Sequence, residues 1–124
     1  MKKQILCKVA PAAIGPYSQA IEANGMLFVS GQLPINGNTR EIPEGISAQA
    51  KQCLENIKAI LTEAGGSMDN IVKCTVILKD MSEFAEMNGV YGEYFTTPKP
   101  ARVTFEAARL PKDVKIEIDA IAVL

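Results

Sequence analysis

A chain of 124 residues, 48% hydrophobic and 22% charged, is long enough to bury a real core, and residues 1–124 read as one domain. The net charge is -1 with both signs interspersed, which excludes the basic stripe of a nucleic-acid binder, and no apolar run approaches the ~20 residues of a membrane span. There is no histidine, which excludes Ser-His-Asp and Cys-His triads, histidine-type zinc sites and histidine general bases. Cys7, Cys53 and Cys74 are odd in number and lack metal-ligand spacing, so they suit reduced thiols. The apolar run after Met1-Lys2-Lys3 is too short for a signal peptide, and a cytoplasmic protein is expected.

Gln4–Val9 alternates weakly and is predicted as a short first strand. Pro11, Gly15 and Pro16 restrict the loop that follows, which feeds a second strand over Tyr17–Glu22. Asn24-Gly25 is the strongest short hairpin signal in the chain. Met26–Leu33 is then a buried strand with Ser30-Gly31 at its end, followed by a surface loop over Pro34–Gly45. Across Ile46–Ala64, Ile46, Ala50, Cys53, Leu54, Ile57, Ile60, Leu61 and Ala64 recur at spacings of three and four, which predicts a helix with one apolar stripe. Gly65-Gly66 suits its left-handed C-cap. Ile71–Leu78 is a β-branched run and an inner strand. Asp80 is placed to cap a second helix reaching about Phe95, with Phe84, Met87, Tyr91 and Phe95 inward and Pro98 and Pro100 beyond its end. Arg102–Ala107 and Lys115–Leu124 alternate strictly and are the last two strands.

The order is β-β-β-α-β-α-β-β, an α+β fold with a mixed sheet. Crossovers of a single hand put both helices on one sheet face. The other face, with Ile121 and Val123 beside charged residues, is uncovered in a single copy, and self-association is the simplest remedy.

The last two strands carry the most chemistry. Arg102 offers a planar fork that holds a carboxylate by two parallel hydrogen bonds, or it is a strand-end arginine paired with a local acid. Glu117 is a mid-strand carboxylate that could orient a water or act as a base, or simply face solvent. Asp119 shares its face, and spacing alone does not choose between the two. Gly31, after Ser30, allows a ligand to approach the backbone, or it is a bulge glycine. Tyr17 follows Gly15-Pro16 and either closes a pocket or packs. Cys53 and Cys74 read as buried structural residues.

The segments GPYSQAI at Gly15–Ile21, SGQLP at Ser30–Pro34, the helix with Gln49-Ala50 and Asn56-Ile57, and PAR…ARLPKDVKIEIDAIAV over Pro100–Val123 resemble the RidA family, also called YjgF or L-PSP. The resemblance runs from about Ala10 to Val123. It implies a chorismate-mutase-like fold and a homotrimer with clefts between subunits. It further implies deamination of reactive 2-imino and enamine acids of the 2-aminoacrylate type. These are hydrolysed to 2-oxo acids and ammonia without a metal or organic cofactor. PLP-dependent dehydratases would release such substrates, a metabolic link that implies no stable complex. By the same resemblance, Arg102 clamps the substrate carboxylate, and Glu117, in the first acidic place of the IEI(E/D)A motif, orients the attacking water. Ser30 and Gly31 contact the substrate, Tyr17 lines the cleft, and Asn88 in the second helix is a further candidate contact.

One position departs from the family pattern: Thr104 stands where many members carry cysteine. It shares a strand face with Arg102 and is expected in the same cleft, with a hydroxyl but no thiol chemistry. Two other activities are implied by particular relatives. One is a carboxylate-binding regulatory trimer. The other is an RNA-directed ribonuclease or translation inhibitor, which the near-neutral charge and missing histidine disfavour.

Overall fold

Asn24 and Gly25 carry φ angles of 51° and 73° in the computed structural model, which describes residues 1–124. That left-handed pair makes the tight turn between strands β2 (Ala20–Ala23) and β3 (Met26–Gln32). Strand β1 (Lys3–Ile5) precedes them; helix α1 (Ile46–Glu63), strand β4 (Ile71–Leu78), helix α2 (Phe84–Glu93) and strands β5 (Ala101–Glu106) and β6 (Ile116–Val123) follow. The six strands lie in the order β1-β2-β3-β6-β4-β5. Only β4 and β5 pair in parallel, which requires a crossover, and α2 provides it. This is the mixed-sheet α+β architecture expected from the element order.

Both helices cover one face of the sheet. The predicted α1 stripe is buried along its length, from Ile46 to Leu61. Gly65, at φ 88°, ends the helix, and the Gly66 N–H returns to the Leu61 carbonyl at 2.8 Å. Beneath α1, β6 sends Ile116, Ile118, Ala120 and Ala122 into the same core. The alternate β6 residues, Glu117, Asp119 and Ile121, face the other way. That other face is not covered by the chain: Phe28, Val103, Phe105 and Val123 are each more than 40% exposed.

Three boundaries differ from the sequence reading by three residues or more. The first strand stops at Ile5, because Cys7 bonds through its N–H and C=O to the Gln19 side chain instead of to a neighbouring strand. The second strand begins at Ala20, since the backbone from Gly15 to Ser18 turns: the Tyr17 N–H bonds the Gly15 carbonyl at 2.9 Å. Asp80 does act as a cap, accepting from the Ser82 N–H at 2.9 Å. The turn it caps is a tight 3-10 turn over Met81–Glu83, and α2 proper starts at Phe84.

Candidate active site

Arg102 lies on the edge strand β5, directly opposite Cys74 of β4, and so shares the helix-covered face. Helix α2 lays Phe84, Asn88 and Tyr91 along it, residues at i, i+4 and i+7 on one side of the helix. Asn88 Oδ1 accepts from Arg102 Nη1 at 2.7 Å. The guanidinium carbon stands 4.8 Å from the Tyr91 ring centre and 5.5 Å from that of Phe84, within cation–π range of both. No acid of the chain pairs with Arg102; the ion pairs are Arg109–Asp113 and Lys115–Glu83. The alternative of an arginine neutralised by a local carboxylate therefore does not hold. Thr104 shares this face, and its hydroxyl is buried without a hydrogen-bond partner, as is that of Tyr91. Burial pushes up the Tyr91 hydroxyl and, to about 11, the Cys74 thiol.

Glu117 lies on the opposite face. Its neighbour across β4 is Ile77, whose β5 neighbour is Phe105. The pairing of β3 with β6 slips between Val29 and Gln32, so Ser30 and Gly31 form an irregularity in the strand. The Glu117 carboxylate occupies the room this leaves: a Cβ at Gly31 would collide with it. The slipped register bears out the bulge reading of Gly31, and the group packed against it within the chain is the Glu117 side chain. Ser30 Oγ donates to the Ser18 carbonyl at 2.6 Å, which leaves it only acceptor capacity for anything else.

Burial raises the Glu117 pKa, and the nearby Asp119 carboxylate raises it further. Asp119 is committed elsewhere, accepting the Thr75 N–H of β4 at 2.9 Å. The structure thus separates two acids that alternation could not. Tyr17, half exposed, precedes Ser18 and adjoins this second group through it.

The predicted residues therefore fall into two groups. Arg102, Asn88 and Thr104 gather on the helix-covered face; Ser30, Gly31 and Glu117, with Tyr17 beside them, gather at the other. Strand β4 lies between β5 and β6, so within one chain the groups do not meet. Sequence reasoning placed Phe84 and Tyr91 in the core but missed that they flank the guanidinium; their spacing around Asn88 was the available signal. It also missed Gln19, a buried glutamine that carried no signal beyond its place in the GPYSQAI segment. No group of His, Cys, Asp and Glu side chains is arranged to hold a metal ion. No helix is long and apolar enough to cross a membrane.

A family model described as Endoribonuclease L-PSP matches residues 7–124. The chain belongs to this family, also called RidA or YjgF. Among RidA relatives, it is 58% identical to a RutC family protein of Pyrococcus horikoshii, over 98% of both chains. It is 51% identical to the 2-iminobutanoate/2-iminopropanoate deaminase of Escherichia coli K12, over 99% of this chain and 98% of that protein. The crystal structure of E. coli TdcF with bound serine superposes with a TM-score of 0.95 at 46% identity, covering 98% of each chain. The architecture is the chorismate-mutase-like α+β fold of the RidA family.

Proposed function

We propose that this chain hydrolyses 2-imino acids of the 2-aminoacrylate type to 2-oxo acids and ammonia, with Arg102 clamping the carboxylate and Glu117 orienting the water. The observation that carries this reading is the guanidinium of Arg102: half-buried, oriented by Asn88 and two aromatic rings, and without an acid partner in the chain. A half-buried cation with most of its donor fork unused is a receptor for a planar anion. The E. coli deaminase at 51% identity supports the substrate class, and the serine bound by TdcF carries the carboxylate such a receptor would take.

The chemistry asks little of the protein. The C=N carbon is already electrophilic, so no metal or organic cofactor is called for. Water adds to that carbon, a proton passes through the Glu117 carboxylate to nitrogen, and the carbinolamine expels ammonia to leave the 2-oxo acid. Holding the acid and the water in register can supply on the order of 7–11 kcal/mol of barrier reduction at the ideal limit. A raised Glu117 pKa suits a group that takes a proton from water and returns it. Reactions that release unstable enamines, such as PLP-dependent dehydrations, would supply the substrate.

Because Arg102 and Glu117 stand on opposite faces with β4 between them, each site takes Arg102 from one copy and Glu117 from the next. The uncovered apolar face gives the assembly its interior, in the form of a homotrimer. Subunit mixing tests both claims. Arg102→Ala and Glu117→Gln chains are inactive separately; unfolded together at equal amounts and reassembled, they regain about a quarter of wild-type sites if each site is shared. No recovery in a properly mixed trimer would place both residues in one subunit and refute the shared site.

The bound serine of TdcF favours a second reading, a carboxylate-binding regulatory trimer without turnover. Binding of 2-oxobutyrate with no acceleration of imine hydrolysis would select it. Ribonuclease activity, named in the family description, finds little support in a chain of net charge -1 without histidine.

A further inference from the structure

We infer that Gln19 is a positioning residue of this site: its buried amide clamps the Cys7–Pro11 backbone and so sets the arm that carries Tyr17 next to the Ser30-Gly31 bulge on which Glu117 packs. The inference rests on the proposed imine hydrolase reading and adds a residue to it.

Gln19 is 4% exposed, and its whole amide is spent on one segment. Oε1 accepts from the Cys7 N–H at 2.8 Å, and Nε2 donates to the Cys7 carbonyl at 3.0 Å, the two-bond exchange that a paired strand residue would make. Nε2 also faces the carbonyls of Pro11 at 2.8 Å and Ala10 at 3.4 Å. These contacts close the base of an Ω-like loop whose outer residues are apolar and exposed: Val9 at 56%, Ile14 at 78% and Tyr17 at 51%.

The same residue ties the loop to the catalytic group. The Gln19 carbonyl accepts the Ser30 N–H at 3.0 Å, and Ser30 Oγ holds the Ser18 carbonyl, one residue before Gly31 and the Glu117 carboxylate packed on it. The loop is backed from behind as well. A Cβ at Gly37 would strike the Val9 carbonyl, and the strand exit at Leu33 and Ile35 is itself held by the Asn56 amide at 3.1 and 3.0 Å. The backbone is thus held on both sides of Tyr17, at Pro11 by Gln19 Nε2 and at Ser18 by Ser30 Oγ. A pre-positioned arm avoids an ordering cost when substrate binds.

A double-mutant cycle tests the proposal. Gln19→Glu keeps the acceptor for the Cys7 N–H and sets a carboxylate against three carbonyls, so the arm should loosen. KM should rise about tenfold with kcat changed less than threefold, and Tyr17→Ala should raise KM comparably. Combining the two should add little, because Gln19 acts through Tyr17. Additive KM effects, or a KM unchanged by Gln19→Glu in a folded trimer, would overturn the inference.

Amide hydrogen exchange on the unmodified protein covers the case in which the variants do not fold. The Cys7 N–H, bonded only to the Gln19 side chain, should be protected at least about a hundredfold, and an unprotected Cys7 amide would sink the clamp. That readout does not use activity, so loss of the hydrolase reading would leave it standing.

Discussion

The two groups of site residues make their charges useful in opposite ways. Around Arg102 the protein has built support: an amide oxygen at 2.7 Å and two aromatic rings hold the cation, and no acid neutralises it. Around Glu117 it has withheld support: the carboxylate is packed against a glycine, half-desolvated, and beside a second acid. The first arrangement suits an anion held by orientation. The second leaves a carboxylate eager for a proton. A binding group should be rigid and cationic at all working pH values, and a proton-handling group should sit near its own titration. Under the proposed hydrolysis, binding and proton transfer fall on the two faces of one sheet.

Substitutions that break the contrast should fall in order of size. Arg102→Lys keeps the charge but loses the fork and the fit between rings, and kcat/KM in a dehydratase-coupled assay should fall about 10³-fold, roughly 4 kcal/mol. A variant within threefold of wild type would show that a point charge suffices. Glu117→Gln should lower kcat about 10²- to 10³-fold with KM nearly unchanged.

The same Glu117→Gln variant sharpens the comparison through stability. The folded chain raises the Glu117 pKa, so it binds that proton more tightly than the unfolded chain does. Its contribution to stability is present at low pH and lost as pH rises through the raised value. The amide removes that loss, and Tm near neutral pH should rise, by no more than a few degrees. Activity in the wild type runs the other way, falling as pH drops through the same titration; a kcat that stays flat there would remove Glu117 from proton transfer.

Gly31→Ala forces the Glu117 carboxylate to move, which costs about 1–3 kcal/mol and should lower kcat some tens-fold with Arg102-dependent binding of 2-oxobutyrate retained. Asn88→Ala, the mildest, removes one charge-assisted hydrogen bond worth about 1.5 kcal/mol and should raise KM roughly tenfold. Equal damage to kcat would make Asn88 a substrate contact instead of a support for Arg102.

What the sequence disclosed follows from the range of the forces involved. Strand β4 was legible to the residue because its β-branched run carries its own signal, and α1 because its stripe repeats over its whole length. The start of the chain was misjudged because Cys7 pairs with a side chain twelve residues away, which no local pattern reports. Glu117 and Asp119 alternate identically; what separates them is a backbone N–H from another strand, forty-four residues distant. Arg102 was legible as a residue of interest, but its lack of an acid partner and its seat between Phe84 and Tyr91 exist only once α2 packs on β5. The division of the site between two sheet faces needed the strand order, which the motifs do not encode.

The three cysteines, all free and buried, give the molecule an internal set of chemical clocks. Only a thiolate reacts with a maleimide or an aromatic disulfide, and burial holds Cys53 and Cys74 well on the thiol side at neutral pH. Labelling must therefore wait for the fold to open. Cys7 reports the terminal segment beside the Gln19 amide, Cys53 the seat of α1 on the Ile116 carbonyl, and Cys74 the inner strand. Three labelling rates from one unmodified chain would rank the order in which its layers come apart.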